Sequence, residues 1–555
     1  MSSNLLELFR VARFSALVGF VGIRVLAVFA VSSLAPAIAA DAAASSQFDI
    51  FEFRVEGNSL LESEAIEKAL GPHLGEARSF NDVEAARAAL EAVYHKNGWL
   101  SVLVTVPEQE VRDGEVGLQV LEASIGRSYV RGTRYTAPGV IRQQVAELTE
   151  GRVPNFDRLQ AELGQLNSNP DLKATPILKP GVRPGTVDSV LDIDDQSPVH
   201  GSVEISNRHS PNTSATRIGA SVRYDNLFQS RHSLGLTVQR APEDFYQIRV
   251  AALSYAIPLG PQGEAFNLQV VHSRSRLERL TNSPGLGVLG NADIVGLRWV
   301  LPVFTSAPPP QATVPESSTR HMLTLGIDHK RLGQSILVDG KPELSSPVDY
   351  APLYLNYNAS LQDASWTLAA DLGATLGLRG LLGGQDREFA ARRPGTSANF
   401  FVARAGFQAS KTSGGWNTIG RFETQWSPDP VIGNEQFLMG GANTVRGYLE
   451  GETAGDRGAR LSFEVRSPER AVSGAPSWRW MGLGFAEYAT LSTLVPGASG
   501  SSEATTARLG GAGLGLRVVG RQYWAIELDA ARALENGPTT PRGTNRVHAR
   551  VVYSD

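Results

Sequence analysis

The chain has no cysteine among its 555 residues. Disulfides, thiolate metal sites and a cysteine nucleophile are therefore all excluded. Neither sign of charge dominates: 52 basic side chains face 56 acidic ones, so there is no whole-chain footprint for nucleic acid. The Gly-x-Ser-x-Gly elbow, the P-loop and the His-Glu-x-x-His pair are all missing. Gly285, Gly287 and Gly290 match a dinucleotide pattern but follow a proline with no βαβ unit around them, and read as loop composition. The nine histidines show no metal-ligand spacing. No enzyme, cofactor, metal or nucleotide is expected. Long apolar runs are also scarce. Beyond the N-terminus no stretch could cross a membrane as a helix, so a membrane-bound mature chain would have to be a closed barrel.

Arg10 and Arg13 precede the apolar stretches Phe14–Ile23 and Val25–Leu34, which Arg24 separates. Ala37-Ile38-Ala39 supplies small residues for cleavage, and Asp41 follows. Residues 1–39 therefore read as a secretory signal peptide rather than an anchor. Cleavage there leaves only Asp41–Gln47 before the first strand.

Three textures follow. Residues 48–122 alternate strand and helix patterns: Phe51–Val55 as a strand, a helix capped by Ser63, and a second helix over Asn81–His95 with Val83, Ala86, Leu90 and Tyr94 on one face. The runs Val102–Val106 and Val116–Val120 flank an Asp113-Gly114 turn. Residues 124–196 repeat that layout, with a strand near Ser128–Val130, helices over Val140–Leu148 and Asn155–Asn167, and a strand Thr186–Ile193.

From 198 to 555 runs of roughly ten residues alternate apolar and polar, about sixteen in all, as transmembrane strands do. Leu461, Phe463 and Val465 oppose Arg460, Ser462, Glu464 and Arg466; Trp524, Ile526 and Leu528 oppose Glu527 and Asp529. The polar face carries too many charges for a sandwich core and suits a wet lumen. Val547, Ala549, Val551 and Tyr553 share a face of a closing strand. The fold class is thus a transmembrane β-barrel of about sixteen antiparallel strands behind two small α+β domains. Gly511, Gly513 and Gly515 lie at period two, which marks close backbone approach in the lumen or a bend. The segment 303–317, with Pro308-Pro309-Pro310, reads as an extracellular loop. Other long loops span 379–397, 427–457 and 494–505.

Within loop 427–457 stands Gly440-Gly441-Ala442-Asn443-Thr444-Val445-Arg446-Gly447-Tyr448. It resembles the Val-Arg-Gly-Tyr/Phe signature of the POTRA-plus-barrel superfamily, which includes the BAM insertase and the two-partner secretion transporters. Tyr94, Gly98-Trp99, Val104, Val106-Pro107-Glu108-Gln109, Asp113-Gly114 and Val116–Val120 are similar to the first POTRA domain of those transporters. Asn169-Pro170, Lys179-Pro180-Gly181 and Gly185 are similar to the second, and Tyr224-Asp225-Asn226-Leu227-Phe228 to an early-barrel motif.

The resemblance implies that loop 427–457 folds back into the lumen and that Arg446 pairs with an acidic wall residue in a Phe-x-Asp-x-Gly motif. The matching stretch is Phe485-Ala486-Glu487-Tyr488-Ala489, with Glu for Asp and Ala for Gly. A loop in a wide lumen gains little hydrophobic energy, so an ion pair is expected to fix its register, with Gly447 permitting a tight backbone and Val445 and Tyr448 beside it. Tyr94, Gly98, Pro107, Gln109 and Gly114 would form a POTRA docking motif for substrate. The implied partners are a secreted TpsA-type exoprotein (adhesin or cytolysin, with activation of a haemolysin-like one), outer-membrane lipid, and the BAM machinery for insertion of the barrel itself. Other readings are an insertase for barrel proteins and a passive porin.

Overall fold

A computed structural model describes residues 47–260, 263–277, 286–306, 317–338, 341–496, 502–521 and 523–555. The signal peptide and residues 40–46 lie outside these residues. The chain divides into two compact units, one comprising the residues up to Lys96 with Val102–Leu121, the other Asn97–Ser101 with Glu122–Asp555.

The first unit holds a three-stranded sheet in which Glu115–Glu122 lies between Glu52–Glu56 and Val102–Thr105. Helices Ser63–Leu70 and Phe80–Lys96 accompany it. The helical face foreseen in the sequence is the buried one: Val83, Ala86, Leu90 and Tyr94 are all enclosed. Asp113 and Gly114 both take positive φ (54° and 74°), the backbone of a tight reversal. Ser63 is the first helical residue rather than the cap; Glu62 occupies the cap position without a side-chain bond.

The second unit opens with an α+β module. Strand Thr186–Asp195 lies between Ser124–Arg131 (parallel) and Leu172–Pro180 (antiparallel). Its helices are Pro138–Gln144 and Phe156–Leu166, the latter capped by Asn155, whose side chain accepts from the N–H groups of Asp157 and Arg158. Ile125, Ile141, Leu159, Leu172, Leu191 and Ile193 are among the residues of its core.

A closed antiparallel barrel follows. Nineteen strand segments join in its sheet, and three of them, Lys341–Ser345, Val348–Tyr350 and Arg470–Val472, are short side pieces, which leaves sixteen. The last strand, Asn545–Ser554, closes on the first, Val199–Ser206, in the register Arg550↔Ser206 to Ser554↔Ser202. Closure satisfies every edge, as lipid demands. The alternation sorts as expected: Leu461 and Phe463 are 59% and 52% exposed on the outer wall, whereas Arg460, Ser462 and Glu464 are buried inside.

Two loop expectations fail. The proline-bearing segment 303–317 joins the sixth strand, Leu286–Ser306, to the seventh, Ser318–Val338. An even number of strands returns the chain to the end where it entered, so Ser306 and Ser318 are not at the far, extracellular end; residues 307–316 themselves lie outside the described ones. Gly287 and Gly290 sit in that sixth strand, not in a loop, and Gly285 lies outside the described residues.

Candidate functional site

Eleven strands carry the chain to the far end at Trp426, and the next strand starts at Arg457. The intervening loop, 427–456, turns back inside. Gly447 (φ 102°) bends tightly and donates its N–H to His548 Nε2 at 3.0 Å, and a Cβ there would meet the backbone of Arg532 and Ala533 at 3.1 Å. That close approach requires glycine.

Arg446 is 3% exposed. Its Nε and Nη2 donate to Glu487 Oε1 at 3.1 and 2.8 Å, while its backbone N–H takes Glu487 Oε2 at 2.7 Å. One carboxylate thus holds both the side chain and the main chain of the arginine. The guanidinium meets only one oxygen of this carboxylate; the other oxygen takes the peptide N–H. Nη2 also donates to Glu464 Oε2 at 2.9 Å, and Nη1 stands 3.6 Å from Asp529 Oδ2. The guanidinium carbon lies 3.3 Å from the centroid of the Phe485 ring, which adds a cation–π contact.

Strand register builds this cage. Glu487 is opposite Ser462, and Phe485 is opposite Glu464, on adjacent strands. Each carboxylate has a second cation: Arg460 Nη2 is 3.6 Å from Glu487, Arg466 Nε donates to Glu464 at 2.7 Å, and Arg517 binds both oxygens of Asp529 at 2.8 Å. Alternating charges offset the cost of desolvating any one of them.

The glycine run is explained at the same spot. A Cβ on Gly511 would lie 2.0 Å from the carbonyl oxygen of Arg446. Of the two readings, close approach or a bend, close approach is the one present at Gly511. Tyr448 is fully buried, and its hydroxyl accepts the N–H groups of Gly510 and Glu535 at 3.2 and 3.1 Å.

The expectation that the loop gains little hydrophobic energy is wrong. Met439, Val445 and Tyr448 pack on Ala489, Leu491, Leu509 and Ala533 of the wall. Ala489, which stands where the motif has glycine, contributes its methyl to this cluster.

Further anchors were invisible in the sequence. Glu452 accepts the N–H groups of Thr539 and Thr540, each at 2.7 Å. Glu435 accepts from Lys330 Nζ at 2.7 Å and from Tyr350 OH at 2.6 Å. Asp456 is fully buried and binds Arg393, just after the short helix Asp386–Arg392, through both oxygens at 2.6 and 2.7 Å. Burial alone would push the Asp456 carboxyl up, but Arg393 and the N–H groups of Val431 and Leu494 hold it below the ordinary carboxylate range. Phe389, Val431 and Ile432 join Tyr350, Phe400 and Val402 in an apolar cluster there. Arg393→Ala strands this carboxylate at a cost of about 3 kcal/mol. The expected result is a loop that leaves the lumen more readily, seen as more frequent openings in planar-bilayer conductance; an unchanged trace would refute it.

The residues expected as a POTRA docking motif do not form one face. Tyr94 is wholly buried and donates to Asn58 at 2.6 Å. Gly98 is buried at φ 85°, where a Cβ would meet Asn155 and Asp157. Gly114 turns beneath Phe51, whose Cδ2 a Cβ would approach to 2.4 Å. Tyr94 and Gly114 shape the domain because a side chain or the turn fills space there, and Gly98 leaves room for Asn155 and Asp157 of its own unit. Gly114→Val is expected to destabilise the domain by about 2 kcal/mol, read as faster proteolysis within 48–122 of the intact protein. Pro107 and Gln109 are exposed and line a groove of about 320 Å³ with Arg54, Arg112 and Glu115. Gln109 clips the adjoining strand by exchanging bonds with Gly117 at 2.6 and 2.9 Å.

The early-barrel motif has a visible role. Asp225 and Asn226 lie near the end of the second barrel strand, Arg217–Leu227, and the turn after it holds the preceding module. Gln229 accepts from Ala137 N–H at 2.8 Å and donates to Tyr135 O at 2.9 Å. His200 Nε2 lies 2.9 Å from Asp171 and 3.5 Å from Asp225. These three are spaced as metal ligands could be, but Arg223 Nε occupies the same Asp225 oxygen at 2.7 Å, which opposes a cation. They read as a clasp between module and barrel.

Comparison with known proteins agrees with this fold. Residues 48–123 match the POTRA domain of ShlB type, and residues 319–517 match the haemolysin secretion/activation protein ShlB/FhaC/HecB. The outer membrane transporter CdiB of Dickeya dadantii is 23% identical over 448 residues, 78% of this chain and 74% of that protein. The heme/hemopexin transporter protein HuxB of Haemophilus influenzae is 20% identical, covering 84% and 79%. The structure of CdiB from Escherichia coli superposes with TM-score 0.63 at 17% identity, over 94% of this chain and 93% of that one. A POTRA domain ahead of a sixteen-stranded barrel with an arginine loop in its lumen defines an outer-membrane protein of the POTRA-plus-barrel superfamily. Within it, residues 319–517 carry the match to the ShlB/FhaC/HecB family, and the similar proteins CdiB and HuxB are transporters by name.

Proposed function

We propose that this chain takes an unfolded exoprotein from the periplasm and passes it through the barrel to the cell surface. The observation that carries this reading is the loop 427–456, held in the lumen by the Arg446 cage. A passive porin needs no such retractable obstruction, and an ion-paired plug can be displaced and re-formed without covalent change. No catalytic activity is assigned to the chain. Export would draw on folding of the partner outside the cell.

In this reading residues 124–196 are a second POTRA domain: like the first, the module places its final strand centrally and parallel to its first. The two domains would hold the passing chain by β-augmentation, which reads backbone more than sequence. The partner would be a TpsA-type exoprotein, an adhesin or a cytolysin. Signal peptide 1–39 would direct the chain to the periplasm and the BAM machinery would insert its barrel among outer-membrane lipid.

Deleting residues 48–122 tests the proposal. Release of the exoprotein encoded nearby should fall to background while the barrel still assembles. Undiminished release would overturn it, and loss of other outer-membrane barrels on depletion would instead favour an insertase.

A further inference from the structure

The outer wall of the barrel carries a row of arginines that no carboxylate of the described residues pairs with. Register sets Arg240, the last residue of strand His232–Arg240, opposite Arg249, and Arg249 opposite Arg274. All three share the face of Leu236, Leu253 and Val270, which are 44%, 41% and 36% exposed on the lipid side. Neighbouring strands lie about 4.8 Å apart, so the row spans about 10 Å. Like charges placed directly opposite destabilise a sheet.

The nearby acids are engaged elsewhere. Asp293 pairs with His272 at 2.5 Å, Glu243 accepts the N–H of Thr216 at 3.0 Å, and Asp244 that of Tyr246 at 2.9 Å. Among the described residues no carboxylate pairs with Arg240, Arg249 or Arg274. Among the described residues Arg240 donates only to Phe245 O, at 3.2 Å; the Arg249 guanidinium carbon stands 5.5 Å from the centroid of the Tyr246 ring, and its Nε has no hydrogen-bond partner. Between them lies a concavity of about 160 Å³, lined by Val238, Ala251 and His272 besides the three arginines.

Height fixes what could fill it. The third strand runs away from the end of chain entry, so Arg240 stands at the extracellular end of the wall. Exposed Phe245 and Tyr246 flank the row, as aromatic residues do where a bilayer meets water. Two rows down, Leu236, Leu253 and Val270 face hydrocarbon. A ligand there needs an anionic head at the arginines and acyl chains against the wall below.

We propose that Arg240, Arg249 and Arg274 form a binding site for the phosphate of a phosphorylated glycolipid of the outer leaflet, of the lipid A kind. Guanidinium groups bind phosphate through paired N–H donors, and three in a row suit one phosphate or a closely spaced pair. Such a lipid would brace the strands between Val199 and Leu277 at the rim.

Native mass spectrometry of the full chain in detergent tests this, using bisphosphorylated lipid A, its dephosphorylated form and inorganic phosphate. Lipid A should be retained, and removing its phosphates should weaken binding about ten-fold. The variant R240Q/R249Q/R274Q should lose a similar factor, and R249Q alone part of it. R508Q, which removes an outward arginine elsewhere on the wall, should bind as the unaltered protein does. Equal retention of the dephosphorylated lipid would overturn the site whether or not the triple variant assembles. So would undiminished binding by the triple variant. Inorganic phosphate binding as tightly as lipid A would make it a free-anion site and refute the lipid.

Discussion

Arg446→Ala is expected to cut secretion of the partner protein to a small fraction while the barrel assembles and migrates as folded. The arginine has no role in strand pairing, so the wall survives its loss. The loop does not. Removing the guanidinium leaves Glu487, Glu464 and Asp529, none more than 5% exposed, with reduced compensation. Breaking a buried pair from one side costs roughly 3–5 kcal/mol, less where water reaches the lumen. The loop's apolar contacts through Val445 and Tyr448 partly oppose its release. The register of the docked state is nonetheless lost, because the Glu487 carboxylate clamps the peptide as well as the side chain. Arg446→Lys should recover little: an ammonium cannot reach two carboxylates and lie flat on the Phe485 ring at once. Secretion measured in culture supernatant, with surface protease accessibility of the loop, separates the outcomes. Normal secretion by the alanine variant would refute the role.

The barrel was readable because period two is a local signal. Leu461 against Ser462 needs no partner strand to be recognised, and repeated some sixteen times it defines a wall. The cage was only partly readable. Glu464 and Asp529 were recognisable as lumen-facing, but many inward residues are acidic, and which of them meet Arg446 depends on strand register and on the path of a thirty-residue loop. Glu487 was found only by likeness to a family motif. Arg393 and Asp456 are 63 residues apart and carry no pattern at all. The sidedness of segment 303–317 was missed because composition marks a segment as solvated without saying at which end. Tyr94, Gly98 and Gly114 were misread for a different reason: glycines and a buried tyrosine that recur in a motif can be there for the fold, as these three are.

The loop's anchors are distributed. Arg446 holds its tip in the wall, Glu452 ties it to the last extracellular connection, and Asp456 ties it to the segment at Arg393. Glu450 donates its backbone N–H to His209 O in the first connection, at 3.0 Å. Passage of a polypeptide must therefore break several contacts together, which makes a docked and a released loop two discrete states rather than a gradual opening.

Gly511→Val tests that cooperativity from the wall instead of the loop. Valine favours a strand, and the backbone pairing of Gly511 with Glu487 on one side and Ala533 on the other is undisturbed by it. The barrel should assemble. Its new Cβ, however, would stand 2.0 Å from the Arg446 carbonyl oxygen and 3.4 Å from Val445 Cγ1. A main-chain atom cannot rotate away, so the loop must lift as a whole. Overpacking of this kind costs about 1–3 kcal/mol, enough to shift the population from docked to released. The expected readout is a marked rise in channel conductance together with reduced secretion. Gly420→Ala is the matched control, since a Cβ there meets nothing within 4 Å. Because Gly511→Val and Arg446→Ala undo the same docked state, the double variant should be scarcely worse than Arg446→Ala alone. Strictly additive effects would mean that the glycine supports the wall and not the loop.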